Sequence, residues 1–110
     1  MGSPTGIADN QGVGKFIPKR YALLPNYPNP FNPSTIITYD LPKATHVELT
    51  VYNLLGQRII TLVKGDKAAG RYEVRWDGRD QFGNRVASGV YLFRLKTPDY
   101  TRVRKMLVTK

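Results

Sequence analysis

Side chains that could carry out catalysis are scarce in this sequence of 110 residues. The chain has no cysteine, which excludes a thiol nucleophile and a thiolate metal site. Its single histidine, His46, opens a predicted strand on the side that faces outward. A histidine-based triad also needs a nearby serine, but Ser34 and Ser88 lie beside predicted turns, where hydroxyl groups commonly bond to local backbone. We therefore expect no catalytic residues, and a protein that is not an enzyme.

One acidic loop contains possible metal ligands. Asp77, Asp80 and Asn84 supply hard oxygen atoms of the kind that bind Ca²⁺, which makes them weak calcium candidates. The loop lacks the terminal bidentate glutamate of a helix-flanked calcium loop, and Arg79 and Arg85 interrupt it. Aspartate and asparagine are also common turn residues. We favour the turn interpretation, and we expect no metal and no cofactor.

The net charge of +9 has two interpretations, an anionic partner or a solvated surface that only keeps the domain soluble, and we favour the second. Nucleic acid, anionic lipid and lipopolysaccharide all fit that charge. The sequence has no zinc-ligand set, recognition helix or RNA-binding aromatic signature, so nucleic acid is not expected. The cations become dense only near the end of the chain, at Arg94, Lys96, Arg102, Arg104, Lys105 and Lys110.

From residue 35 onward, apolar and polar residues alternate with the period of a β-strand. Such alternation directs one set of side chains to a core and the other to water. It is regular at 36–41, 47–52, 72–77 and 91–96, and less regular at 57–63 and 102–108, where we expect bulges. The connections are rich in glycine, proline, aspartate and asparagine, which are typical of turns. No segment has a sustained helical stripe, so helix should amount to a turn or two at most. No apolar run is long enough to span a membrane.

Two segments precede the strands. Residues 1–20 are glycine-rich and are predicted to be a flexible linker with an expression remnant at its start. Residues 21–34, called the proline segment below, cannot be helical because each proline fixes its own φ and holds the preceding residue extended. We expect this segment to lie across the sandwich, with four apolar side chains docked on it: Leu23, Leu24, Tyr27 and Phe31.

These elements predict an all-β protein, an immunoglobulin-like antiparallel sandwich of about seven strands that occupies residues 21–110. A sandwich of this kind can bind sugars on exposed aromatic rings, and Tyr52 and Tyr100 are possible exposed residues. Most of the other aromatic residues fall on predicted core faces: Tyr39, Tyr72, Trp76, Tyr91 and Phe93.

Five short motifs occur in an order that resembles a known family. They are YPNPFNPST at 27–35, VYNLLGQR at 51–58, GRYEVRWDG at 70–78, ASGVYLFR at 87–94 and the basic RKMLVTK at 104–110. Together they resemble the type A C-terminal sorting domain of proteins exported by the type IX secretion system. They are also similar to the immunoglobulin-like domain of the flagellar hook-capping protein, and the long loop at 77–89 is of the hook-cap type.

The resemblance implies a non-catalytic function. Such a domain directs its secreted parent across the outer membrane to the cell surface, where a protease often removes it and the cargo is joined to anionic lipopolysaccharide. The partners it implies are the secretion machinery, surface attachment and cleavage proteins, and an upstream cargo domain. Cleavage would be expected in the stretch before Tyr21. The partner-recognition residues that it implies are Pro28, Asn29, Pro30, Phe31, Gly89, Tyr91, Arg104, Lys105 and Lys110.

Each of these residues also has a structural explanation. Phe31, Gly89 and Tyr91 are expected mainly to fill the core or form a turn, whereas Arg104, Lys105 and Lys110 are expected as exposed cations that contact a partner. Two other functions stay open from the sequence: a structural or assembly module like the hook cap, and an accessory carbohydrate-binding module of a secreted glycosidase.

Overall fold

The alternating segments form antiparallel strands in the computed structural model, which describes residues 16–109. The strands are β1 (Ala22–Leu23), β2 (Thr35–Leu41), β3 (Thr45–Tyr52), β4 (Arg58–Lys67), β5 (Gly70–Trp76), β6 (Gly89–Thr97) and β7 (Tyr100–Val108). One sheet has the order β1-β2-β5 and the other the order β4-β3-β6-β7. The described residues contain no helix, and so none that could cross a membrane. The predicted all-β, immunoglobulin-like sandwich is confirmed.

The core lies between the two sheets and is built from the inward-facing residues of the central strands. Ile37, Tyr39 and Leu41 of β2 are buried, as are the alternate residues of β3 and β6. The expected core positions of Tyr39, Trp76, Tyr91 and Phe93 are confirmed. Tyr72 is only half-buried, because β5 is an edge strand and its side chains are covered from one side alone.

The irregular alternation has two different causes. In β4 the register against β3 shifts twice, next to Thr50 and next to Tyr52, as expected for bulges. In β7 the expectation was wrong, because its nine residues pair with β6 without a shift. The pattern there is irregular because only the end of β7 reaches the core, at Met106 and Val108.

The proline segment docks on the sandwich with one exception to the prediction. Leu23 and Phe31 are buried and Leu24 is half-buried, but Tyr27 is 79% exposed. The backbone of Tyr27 pairs with Ile36, whose side chain faces away from the core. Facing residues of an antiparallel pair point to the same side, so Tyr27 points to solvent.

A buried charge on β2 is fully paired. The Asp40 carboxylate is largely buried and accepts two hydrogen bonds from Arg71 of β5, from Nε at 2.7 Å and Nη2 at 2.9 Å. This bidentate arrangement compensates for the loss of water around the carboxylate. The bond to Asp40 also raises the pKa of Arg71.

Tyr39 should make the domain lose stability in alkaline solution. Burial, with a smaller contribution from the neighbouring Tyr72, raises the pKa of Tyr39 from 10.0 to about 12. Between these values the unfolded chain releases the phenol proton and the folded chain retains it, so unfolding becomes more favourable as the pH rises. Urea unfolding at pH 9 to 12 should show a decline that Tyr39→Phe reduces. Tyr27→Phe, which removes an exposed phenol, should leave the decline unchanged; an equal reduction by both variants would contradict the assignment.

Candidate partner-binding surface

The proline segment connects the edges of both sheets. Near its start, the Leu24 amide donates to the Thr38 carbonyl of β2 at 3.0 Å. Further along, the Phe31 amide donates to the Leu107 carbonyl and the Thr109 amide donates to the Phe31 carbonyl, both at 3.1 Å. The segment therefore leaves the first sheet and pairs with the end of β7 in the second.

Side chains fix the proline turns in place. The Pro28 carbonyl accepts hydrogen bonds from the Thr35 hydroxyl at 2.9 Å and from the Asn26 amide at 3.2 Å. The Asn29 Oδ1 accepts a hydrogen bond from the Leu107 backbone amide at 2.9 Å. Pro30 is exposed. Sequence reasoning missed Asn26, which is buried although it lies among prolines, and only its amide chemistry in a turn could have indicated it.

Three of the predicted recognition residues contribute to the fold itself, through burial in the core or through backbone conformation. Phe31 is 1% exposed and its ring meets Trp76 edge-on, with the centroids 5.4 Å apart. Tyr91 is buried, and its hydroxyl donates to the Ala87 carbonyl at 2.7 Å. Gly89 begins β6 opposite Val108, with a φ of 150° that disfavours other residues.

The basic residues near the end of the chain differ from one another. Arg104 is half-buried and its Nε donates to the Leu23 carbonyl of β1, so the premise that it is a free, exposed cation was wrong. The guanidinium lies where β7 passes close to β1. It supplies a hydrogen bond to the Leu23 carbonyl, which points away from β2 and is not bonded by that strand. Lys105 is exposed. Lys110 lies outside the described residues.

The structure brings Asn29 and Lys105 together around β7. Asn29, Val90, Lys105, Met106 and Leu107 line one shallow groove of about 220 Å³. Val90 and Leu107 face each other across β6 and β7, and each is 38% exposed. Val103, on the same face, is 47% exposed. We call this exposed side of β6 and β7, with Asn29 at its border, the β7 surface.

An arginine on this surface contacts an aromatic ring. The Arg94 guanidinium of β6 lies 5.1 Å from the centre of the Tyr52 ring. Tyr100, at the other end of the hairpin, stacks on Tyr21 with the ring centroids 5.1 Å apart. Tyr52 and Tyr100 are both half-buried, and each uses a ring face for a contact within the domain. This weakens the case that the two rings form a platform for sugars.

The acidic loop is held by its own turns. Asp80 Oδ1 accepts hydrogen bonds from the backbone amides of Phe82 at 2.9 Å and Asn84 at 3.0 Å, while Asp77 Oδ1 accepts one from Arg79 at 3.2 Å. The described residues contain no group of three His, Cys, Asp or Glu side chains placed to hold a metal. The geometry thus gives Asp77 and Asp80 turn-forming roles.

The same loop covers part of an exposed strand edge. The Gln81 amide donates to the Ile59 carbonyl of β4 at 3.1 Å. β4 is an edge strand whose residues 59–63 are partly buried on both faces. An uncovered edge of this kind can pair with another chain, and the loop occupies one of its acceptors.

Gly78 is the point where the loop touches the proline segment, and its backbone conformation disfavours alanine. Its φ is 77°, and an added Cβ would lie 3.4 Å from the Pro33 carbonyl oxygen, which is an ordinary van der Waals distance. We expect Gly78→Ala to lower the free energy of unfolding by about 1–2 kcal/mol because of this backbone conformation. Gly83→Ala should cause a similar loss, because its φ is 86° with no neighbouring atom within 4 Å. Urea unfolding in which both variants are as stable as the parent chain would contradict this.

Comparison with known proteins places the chain in a family. The family model described as the FlgD Ig-like domain matches residues 32–99. The chain belongs to the FlgD Ig-like domain family. A search of curated proteins gives no match.

Three solved structures are similar to this fold. FlgD from P. aeruginosa is 28% identical, with a TM-score of 0.53 over 67% of this chain. Dimeric latent PorU from Porphyromonas gingivalis is 19% identical, with a TM-score of 0.64 over 79% of this chain. PorZ, described as an essential surface component of the type IX secretion system of that organism, is 21% identical, with a TM-score of 0.52 over 80% of this chain. The chain spans 59% of FlgD, 9% of PorU and 11% of PorZ.

Proposed function

We propose that this FlgD Ig-like domain is a non-catalytic sorting domain of a secreted parent protein. It directs the parent across the outer membrane to the cell surface by binding the type IX secretion machinery. The observation that supports this best is the meeting of two motifs that are distant in sequence. Asn29 of the proline segment and Lys105 of the basic closing strand line one groove, so a partner can contact both.

Charge and exposure support the same proposal. Between Gly89 and Thr109 there are five cations and one acidic residue, Asp99. Asp99 is bound to Lys43 at 2.8 Å, and this hydrogen bond lowers the pKa of Asp99. The β7 surface is therefore suited to an anionic partner: a component of the secretion machinery, a surface attachment or cleavage protein, or anionic lipopolysaccharide.

A fusion experiment tests the function. The chain is placed after a signal peptide and a fluorescent reporter in a host that has type IX secretion, and surface fluorescence is measured. Deletion of the last residues would be a poor test, because Met106 and Val108 are buried in the core. The informative variant changes two exposed cations of β7, Arg102→Glu with Lys105→Glu.

The matched control changes two exposed cations elsewhere, Lys64→Glu on β4 with Arg75→Glu on β5. We expect surface delivery of the parent fusion and of the control, and retention of the β7 variant in the periplasm at an unchanged melting temperature. Retention of all three fusions in the periplasm would rule out the sorting function in this host.

A second candidate function is an assembly module like that of FlgD. The match to the FlgD family over residues 32–99 favours it. For such a module, all three fusions would stay in the periplasm. A sugar-binding module is less well supported, since the rings of Tyr52 and Tyr100 are engaged within the domain.

A further inference from the structure

The outer edge of β7 has hydrogen-bonding groups that point away from β6. Leu107 shows which backbone groups of β7 point outward. Its amide donates to Asn29 Oδ1 and its carbonyl accepts from the Phe31 amide, so both groups point away from β6. Alternate residues of a strand point their backbone groups to the same side. The amides and carbonyls of Thr101, Val103 and Lys105 therefore also point outward. Within residues 16–109, no hydrogen bond from another segment occupies them.

Space is available along this edge. The proline segment contacts β7 at Leu23, through Arg104, and again at Asn29, through Leu107. Between these contacts it stands away from the strand and leaves a groove of about 370 Å³, which Pro25, Val103, Arg104 and Lys105 line. An extended chain can lie there and reach the free backbone groups.

The charge of this edge selects the occupant. Arg102 and Lys105 are exposed on β7, and Lys96 is exposed on β6 opposite Thr101. A second copy of this chain paired along the same edge would place cations against cations, which is unfavourable. A segment with carboxylates on the Arg102 side of β7 would instead form an ion pair there, since Arg102 faces the side opposite to Val103, Lys105 and Lys96.

We propose that the free edge of β7 binds an extended acidic segment of a partner protein as an added strand. Main-chain hydrogen bonds form at Thr101, Val103 and Lys105, as in other cases where a peptide extends a sheet. Alternate side chains of the partner then divide between two environments. Those on the outer face pack on Val103 and near Leu107, while carboxylates on the other face lie near Arg102. This proposal rests on the proposed function and specifies the partner's chemistry at that site.

The test uses the full chain and a fluorescein-labelled peptide of sequence TEVEVET, with binding measured by fluorescence anisotropy. Val103→Pro removes one outward amide and no hydrogen bond to β6, and it should weaken binding about tenfold. Val103→Ala keeps the amide and should bind within about threefold of the parent chain. The peptide TQVQVQT, which lacks the carboxylates, should also bind about tenfold more weakly than TEVEVET. Melting temperatures establish that both variants are folded.

A second reagent leaves the protein unchanged. TEVEVET methylated on the amides of both valines cannot donate those hydrogen bonds, and it should lose binding to the parent chain even if Val103→Pro proves unstable. The proposal is overturned if the parent chain does not bind TEVEVET, or if TQVQVQT or the methylated peptide binds equally well. Binding to phosphatidylglycerol vesicles is measured as well. Tighter binding to the vesicles than to TEVEVET would overturn the proposal, because it would show that the cations of β7 bind a lipid surface instead.

The outcomes for this site and for the proposed function are separable. Surface delivery of the fusion without peptide binding would overturn the added-strand proposal alone. Peptide binding without surface delivery would overturn the sorting function and leave the strand-binding site established.

Discussion

Replacing Phe31 with alanine should lower the free energy of unfolding by about 3–5 kcal/mol. Phe31 is 1% exposed although it lies among prolines at the margin of the sandwich. Its ring fills the space beside Trp76, and its backbone pairs with the end of β7. Alanine would leave a cavity there, because the paired backbone prevents the segment from collapsing onto the core.

Urea unfolding followed by Trp76 fluorescence measures this effect directly, since the indole contacts the deleted ring. Tyr27→Ala is the matched control: it removes an aromatic side chain from the same segment, but one that is 79% exposed. We expect it to change the free energy of unfolding by about 0.5 kcal/mol or less. Equal losses in the two variants would show that the segment does not hold Phe31 in the core.

Met106→Ala should have the second largest effect, a loss of about 2–5 kcal/mol. Met106 is 2% exposed on the inner face of β7, while its neighbour Leu107 is 38% exposed on the outer face. Leu107→Ala should therefore cost much less in the same urea titration. A larger loss for Leu107→Ala would mean that β7 does not present this face to solvent.

This pair of variants also affects how export experiments are interpreted. If Met106→Ala unfolds the domain, then loss of export after truncation of β7 reports on folding rather than on recognition. Substitutions at exposed residues of the strand, such as Lys105, separate the two effects.

Much of the fold follows from alternation in the sequence, since strands β2, β3 and β6 bury one face and so repeat with a period of two. β1 could not be predicted in the same way, because a strand of two residues is too short to show a period. The position of Tyr27 could not be predicted either. Its side chain is aromatic like that of Phe31, and the pairing of its backbone with Ile36 turns it to solvent.

The residues of the candidate site could be predicted from the sequence, but their arrangement into one surface could not. The motifs at 27–35 and 104–110 were evident in the sequence, yet nothing there indicated that Asn29 bonds to Leu107. Arg104 illustrates the limit, because a cation looks alike in sequence whether it faces solvent or satisfies a backbone carbonyl. Val90 and Val103 were also missed as surface residues. Both occupy outward positions in the alternation of their strands, so the sequence pattern could have indicated them.

The contacts between the proline segment and β7 have a consequence for the timing of biosynthesis. They join residues that are 76 to 81 positions apart, so a nascent chain cannot form them until nearly all of the domain has left the ribosome. Contacts of such long range also slow folding relative to folds built from local contacts. A prematurely terminated chain would lack β7 and leave Phe31 without its backbone partners. The basic edge thus exists only once the whole domain has been synthesised and folded, and a partner that bound it would distinguish a complete domain from an incomplete one.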